Sequence, residues 1–506
     1  MKNRIQFGAL AAAVAACFAT SAGATTLHGA GASAVNNTLK SLLLDGYCDT
    51  TKPIDYYDDG TFTAGKAPGG GVYRIICTPK PTLGTKFASG VDISYDTNGG
   101  SWKGFLSTNN ALFPDAQNTA YNADPAKTVA TTCAAVQSGY VVKVAGANRS
   151  FNYHSGCTDQ PLTSSDLPAL VFGMTDVEAG LFNATTDDQP LVNNSWNGVA
   201  QQIYGGASTV PWGTGTDKFA GGGLPAFGVV MGIAASSSLW TAMQADQIAA
   251  GWIASSCSTV TAAAVSAGVF ENCAPIISKA QYASIASANF GSLNTDASGL
   301  FFVKAPADVS LEFARRDQGS GTQSSANAYF LNDGCASTAT EASDLAPVLP
   351  STFAQVTAAP FNNFQVTYNG TTGKVITRLT GGVAASGTTT ASPYSTYVPP
   401  TPTSGFVIGH VSAENDSASR TWGFLRLEGF YPSTTNGAAG LYTYVTEENL
   451  HCSATVAGDA LSFCTDLSAP AGAVGAAQSY TGVGIVQTAV SNYNNNGLLC
   501  AGLRHK

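Results

Sequence analysis

The part of this chain best suited to chemistry is an arginine set just ahead of a small, donor-rich loop. Arg316 lies three residues before Gly319-Ser320-Gly321-Thr322 in the run ARRDQGSGTQSSANAYF, residues 314–330, and the loop opens onto a helical pattern. A helix start carries unpaired backbone N–H groups and the positive end of the helix dipole. Glycine lets backbone approach a ligand closely, and Ser320 and Thr322 add hydroxyl donors. A guanidinium offers a planar fork that fits a tetrahedral oxyanion. Together these groups describe half of an anion cradle. The plainer reading of the run, a capped helix with a solvated Arg316, stays open on these residues alone.

The elements around the cradle suggest an α/β chain. Leu311-Glu312-Phe313 reads as a strand feeding the cradle helix. Val91–Tyr95 alternates like a strand and runs into the turn Asn98-Gly99-Gly100-Ser101. The apolar runs Phe227–Ile233 and Phe406–Val411 read as buried strands, and helical patterns cover Trp240–Ile253 and Lys279–Ala288. After Leu27-His28-Gly29-Ala30-Gly31-Ala32-Ser33, a helix is expected with Val35, Leu39, Leu42 and Leu43 on one face and Ser33 as its N-cap. Residues 46–90, 107–150 and 380–405 read as irregular insertions, and Asp159 sits in the loop 155–162 ahead of a short helix near Leu162–Leu167. No internal repeat is visible. Strands that repeatedly feed helices make the fold α/β.

Compartment and charge limit what the cradle serves. Residues 1–24 read as an export signal: Lys2 and Arg4, an apolar stretch from Phe7 to Phe18, then Ala22-Gly23-Ala24 as a cleavage site. Val14-Ala15-Ala16-Cys17 also resembles a lipid-attachment motif, so a lipid anchor at Cys17 is a second reading. No later apolar stretch is long enough to span a membrane. The other ten cysteines, an even number, suggest disulfides in an oxidising compartment, periplasmic or secreted. Short spacings favour 257–273 and 452–464, with 48–77 and 133–157 next; spacing does not fix the connectivity. Without a close Cys-x-x-Cys pair, neither a metal site nor another cofactor is expected.

The formal net charge is −9, and it becomes −11 once the leader's two cations are removed. Phosphate backbones demand basic stripes, so nucleic acid is an unsuitable partner. Anion binding in so acidic a chain must come from local donors rather than the overall field.

A set of motifs carries a family resemblance. HGAGAS (28–33), NGGS with Lys103 (98–103), GCTDQPL (156–162), PAFGVVMGI (225–233), ISKAQYASI (277–285), RDQGSGT (316–322), FVIGHVSA (406–413) and FLRLEGFYPS with GLYTYV (424–445) occur in the order seen in one family. The chain resembles the phosphate-binding protein of bacterial phosphate ABC transporters and the related DING-type proteins. The resemblance covers about half of the chain, in islands.

It implies a type 2 periplasmic-binding-protein fold: two α/β lobes, a hinge and a central ligand cleft, here with long insertions. The implied boundaries are 25–228 for lobe 1, with 414–506 returning to it, and 229–413 for lobe 2. The implied ligand is inorganic phosphate, with an ABC transporter permease as the partner that receives it. The implied ligand-binding residues are Ser33 and Ala34, Asn98 and Ser101 of the glycine turn, Asp159 as acceptor of the ligand's proton, Arg316, and Ser320, Gly321 and Thr322. Two departures stand out. Ala34 replaces a bulky aromatic, and Asp317-Gln318 replaces an acid directly before GSGT.

Two other function classes fit parts of the sequence. One is an extracellular surface or matrix protein that keeps the fold without tight ligand binding, in line with the low charge and the Thr/Ser/Gly-rich insertions. The other is a hydrolase using Ser320 with His154 or His410. Gly-Ser-Gly-Thr is not a nucleophile elbow and no triad spacing occurs, so no catalytic residue is expected.

Overall fold

The alternation of aliphatic and small residues near the start of the chain builds the first strand of a large mixed sheet. In the computed structural model the described residues are 24–60, 71–97, 133–144, 147–157, 170–176, 224–286, 311–316, 320–331, 364–369, 371–381, 406–416, 420–453 and 456–468. Short pieces at 62, 64, 100–101, 104, 195–196, 199–200 and 485–486 complete them. Twelve strands form the main path. They are β1 (Thr25–Gly31), β2 (Ile54–Asp58), β3 (Val72–Cys77), β4 (Val91–Asp96), β5 (Cys133–Val144), β6 (Ala147–Cys157), β7 (Leu170–Thr175), β8 (Leu224–Ser236), β9 (Leu311–Arg316), β10 (Phe364–Asn369), β11 (Phe406–Ser412) and β12 (Val445–Cys452). Six helices matter below: α1 (Asn36–Tyr47), α2 (Ser237–Ala249), α3 (Lys279–Ala286), α4 (Gly321–Leu331), α5 (Thr372–Leu379) and α6 (Gly458–Ser468).

The order across the sheet is β10-β9-β11-β8-β12-β7-β1-β4-β3-β2-β6-β5. Two runs of strands meet on β8. Its first half pairs antiparallel with β12 up to Val230, and from Met231 onward it pairs antiparallel with β11. On one side β1 lies parallel to both β4 and β7; on the other, β9 lies parallel to both β10 and β11. This is the two-lobed α/β build expected from the order of elements. Ligands of such parallel runs bind beyond the carboxyl ends of the strands.

One face of the β1 side is an aromatic row. Phe172 lies over Gly29, where an added Cβ would fall 2.2 Å from the ring, so the strand needs glycine there. Tyr95, Tyr73 and Tyr56 continue the row at centroid spacings of 5.8, 5.9 and 6.1 Å. The pleat puts them on one side: Tyr73 sits opposite Tyr95, Tyr95 and Phe172 both sit opposite Gly29, and Tyr56, opposite Ile75, is the diagonal neighbour of Tyr73. Burying side chains of this size stabilises the lobe by roughly 1.5–3 kcal/mol each. Leu39, Leu42 and Leu43 of α1 belong to the same buried cluster, and the ammonium of Lys40 sits 5.0 Å from the Tyr73 ring centre.

The structure corrects several expectations. The supposedly irregular segment 46–90 contains the antiparallel pair β2–β3, joined to β4 and β6. Its Ile-x-Tyr-x-Asp and Tyr-x-Ile-x-Cys alternation is hidden among Gly, Pro and Thr. Likewise the 107–150 insertion ends in the long β5–β6 hairpin. Ser33 does not cap α1: the residue before the helix is Val35, with no side-chain cap, and Ser33 points elsewhere. Residues 382–405 and the expected helix near 162–167 lie outside the described residues.

All four cysteine pairings favoured by spacing are present: 48–77, 133–157, 257–273 and 452–464. Cys335 and Cys500 lie outside the described residues. Among the described residues no helix is long and apolar enough to cross a membrane.

Candidate functional site

The last residue of β9 delivers Arg316, 1 % exposed, to the carboxyl end of the strand. Its Nε donates to the Asn369 carbonyl at 2.9 Å, and its Nη1 donates to Thr372 Oγ1 at 3.0 Å and to Ser33 Oγ at 3.1 Å. Ser33 comes from the turn after β1, whereas Asn369 ends β10 and Thr372 begins α5. The arginine therefore ties the two runs of strands together. Its backbone is fixed as well, since Arg316 N donates to Gln323 Oε1 of α4 at 3.1 Å.

A second corner is built around Asp176, the residue after β7 and fully buried. Ser101 Oγ donates to Asp176 Oδ1, and Thr322 Oγ1 donates to Oδ2 at 3.0 Å. Gly321 makes this approach possible. A Cβ there would lie 2.6 Å from Ser101 Oγ and 2.8 Å from the Asp176 carboxyl, so any side chain would push α4 away. Ser320 Oγ accepts from Gln323 N at 3.4 Å, the geometry of an N-cap rather than of a nucleophile.

Charges in the two corners follow from burial. Removal from water pushes the Asp176 carboxyl above its ordinary range, against the opposing pull of the Ser101 and Thr322 hydroxyls and the Arg316 charge. Behind it, both carboxyl oxygens of fully buried Glu448 on β12 lack a hydrogen-bond partner. Burial, reinforced by Asp176 and Glu414, pushes Glu448 well above its ordinary range. On the other side, burial together with Arg316 and Arg315 lowers His410 to about 3. That imidazole stays neutral, with Nδ1 paired to Tyr282 OH at 2.9 Å. The Arg316 corner thus carries positive charge while the Asp176 corner holds a buried carboxyl that accepts from two hydroxyls.

Comparisons with known proteins find low similarity. No family model matches the chain, and no curated protein matches it. Among solved structures it is similar to a phosphate ABC transporter substrate-binding protein with bound phosphate from Clostridium perfringens. That likeness has 10 % identity and a TM-score of 0.28, over 52 % of this chain and 71 % of the other. An ABC-type phosphate transport receptor from Vibrio cholerae has 11 % identity and a TM-score of 0.27, over 59 % and 74 %. PstS from Borrelia burgdorferi has 14 % identity and a TM-score of 0.24, over 48 % and 64 %.

Of the residues expected from the sequence, Ser33 and Arg316 meet in one corner, and Ser101, Gly321 and Thr322 in the other. Ala34 is fully buried beside Ser33 and has no polar side chain to offer. Asn98, Lys103, Asp159, Asp317 and Gln318 lie outside the described residues. Within the described residues, the carboxylate among the donors is Asp176, which sequence reasoning missed. A signal was present: LVFGMT is a continuous apolar strand, and Asp176 stands at its carboxyl end. Asn369 and Thr372 were missed too, although Gln365–Asn369 leading into Thr371-Thr372-Gly373 repeats the strand-to-helix junction of the cradle.

The two histidines of the alternative hydrolase reading each have an aromatic partner. His154 is stacked on Tyr57 in the β2–β6 region with a ring spacing of 4.1 Å, and His410 is paired to Tyr282.

Proposed function

We propose that this chain is an exported solute-binding protein that captures inorganic phosphate between two lobes, 25–228 with 414–506 and 229–413, for uptake or scavenging. The observation that supports it most is the pairing of one buried carboxyl with hydroxyl donors, close to a buried arginine. Phosphate at neutral pH still carries a proton, whereas sulfate carries none. Asp176 can accept that proton's hydrogen bond from phosphate and repels an anion with no proton to give. Arg316, Ser33, Ser101, Thr322 and the first backbone N–H groups of α4 supply the donors. Each charge-assisted contact is worth about 1.5–3 kcal/mol, enough after ordering costs for a micromolar affinity near about −8 kcal/mol. In this reading Asp176 takes the acceptor role that the family resemblance placed on Asp159, and delivery goes to an ABC transporter permease.

The test is titration calorimetry of the mature, phosphate-stripped protein with phosphate. The expected result is one exothermic site per chain; no heat at millimolar phosphate would overturn the reading. One observation favours a second reading, an extracellular surface or matrix protein without tight ligand binding. Arg316, Ser33 and Thr372, like Asp176, Ser101 and Thr322, already satisfy one another. Under that reading phosphate leaves the melting temperature unchanged.

A further inference from the structure

We propose that Thr372 is a positioning residue for Arg316, held in place by the β10–α5 junction. The inference rests on the reading of the cleft as an oxyanion site.

Parallel register sets Asn369 of β10 opposite Arg316 of β9, so the two strands end level with each other. The chain then turns directly into α5. Thr371 caps that helix, its hydroxyl accepting from Lys374 N at 3.3 Å. Thr372, 7 % exposed, therefore enters the first turn with little freedom. Its Oγ1 lies 3.0 Å from Arg316 Nη1 and 3.5 Å from Ser33 Oγ.

The helix that carries Thr372 is itself pinned. Arg378 forms a buried ion pair with Glu312 of β9, and Thr367 of β10 donates to the same carboxylate at 2.7 Å. Val375 and Leu379 of α5 are buried in the core. Two residues on one rigid unit therefore hold two different nitrogens of one guanidinium. The Asn369 carbonyl takes Nε and the Thr372 hydroxyl takes Nη1, which fixes the plane of the fork as well as its place.

A planar fork recognises a tetrahedral anion only in the correct orientation. A hydroxyl that accepts from a guanidinium also keeps its own hydrogen to donate, and Ser33 and Thr372 sit side by side in that role. Thr372 thus couples the orientation of Arg316 to the approach of Ser33 from the opposite side of the cleft.

The test compares wild type, Thr372→Val and Thr372→Ser, alone and in an Arg316→Lys background. Valine keeps the shape and removes the hydroxyl, and serine restores it. Phosphate titration should show about a tenfold loss for Thr372→Val, the loss of one hydrogen bond to a charged group, and near-complete rescue by Thr372→Ser. In the Arg316→Lys background the valine should add no further loss, because the fork it positions is gone.

A second measurement needs no ligand. Arginine-selective ¹⁵N labelling of the phosphate-free protein should show hindered rotation of the Arg316 guanidinium in wild type and Thr372→Ser, and free rotation in Thr372→Val. Unchanged rotation in Thr372→Val overturns the inference whether or not phosphate binds. So does equal phosphate affinity of Thr372→Val and wild type. A wild type that binds no phosphate sinks the proposed function instead, and leaves the rotation measurement to decide the role of Thr372.

Discussion

The two corners of the cleft solve opposite electrostatic problems. At Arg316 a buried cation is held by a backbone carbonyl and two hydroxyls, and the neighbouring imidazole of His410 is kept neutral. At Asp176 a buried carboxyl is held by two hydroxyl donors, with a second buried carboxyl, Glu448, behind it. In the proposed function, attraction belongs to the first corner and discrimination to the second. A site made only of the first would bind any small oxyanion. In that reading the second makes the proton on the anion matter.

Breaking the attractive corner should have the largest effect. Arg316→Ala is expected to weaken phosphate binding by at least about 2 kcal/mol, roughly thirtyfold, in a calorimetric titration. Unchanged affinity would place the guanidinium outside the site. Next comes the close approach of α4 to the Asp176 corner. Gly321→Ala must displace Ser101 and Asp176 or move α4, so a loss of about tenfold in affinity is expected, together with a melting temperature lower by a few degrees. A variant that melts and binds like wild type would show that the close approach is not needed.

The smallest effect sharpens the discriminating corner from behind. Glu448 has a raised folded-state pKa, so the native protein holds that proton more tightly than the unfolded chain does. By linkage, stability falls as pH rises from the ordinary carboxylate range through the raised value, and the full cost remains above it. Glu448→Gln removes this term. The variant should match wild type in acid and melt about 1–3 °C higher at neutral pH, where thermal scans across pH would detect it. A lower melting temperature at neutral pH would mean that the Glu448 charge is stabilised there.

Legibility from sequence also differed between the corners. The Arg316 corner rests on one contiguous stretch: a strand, an arginine and Gly-Ser-Gly-Thr at a helix start. Local spacing carries its chemistry, so it could be read directly. The Asp176 corner is assembled from Ser101, Asp176 and Thr322, which lie up to 221 positions apart in sequence, and only the sheet order β7-β1-β4 and the approach of α4 bring them together. A single Asp after an apolar strand has no local signature.

The same contrast holds for the fold. Strands with unbroken apolar runs, such as β8 and β11, were visible. β2 and β3 were hidden by the Gly, Pro and Thr around them. Ser33 looked like a cap because small polar residues before helices usually are; its real partner, Arg316, is 283 positions away.

The central claim is that Asp176 makes the site choose a protonated oxyanion. Its most direct test is the ratio of phosphate to sulfate affinity at neutral pH in wild type and in Asp176→Asn. The account predicts a strong preference for phosphate in wild type. In the variant, phosphate affinity should fall by about 1.5–2 kcal/mol and sulfate affinity should rise until the two are comparable. An unchanged ratio in Asp176→Asn would contradict it.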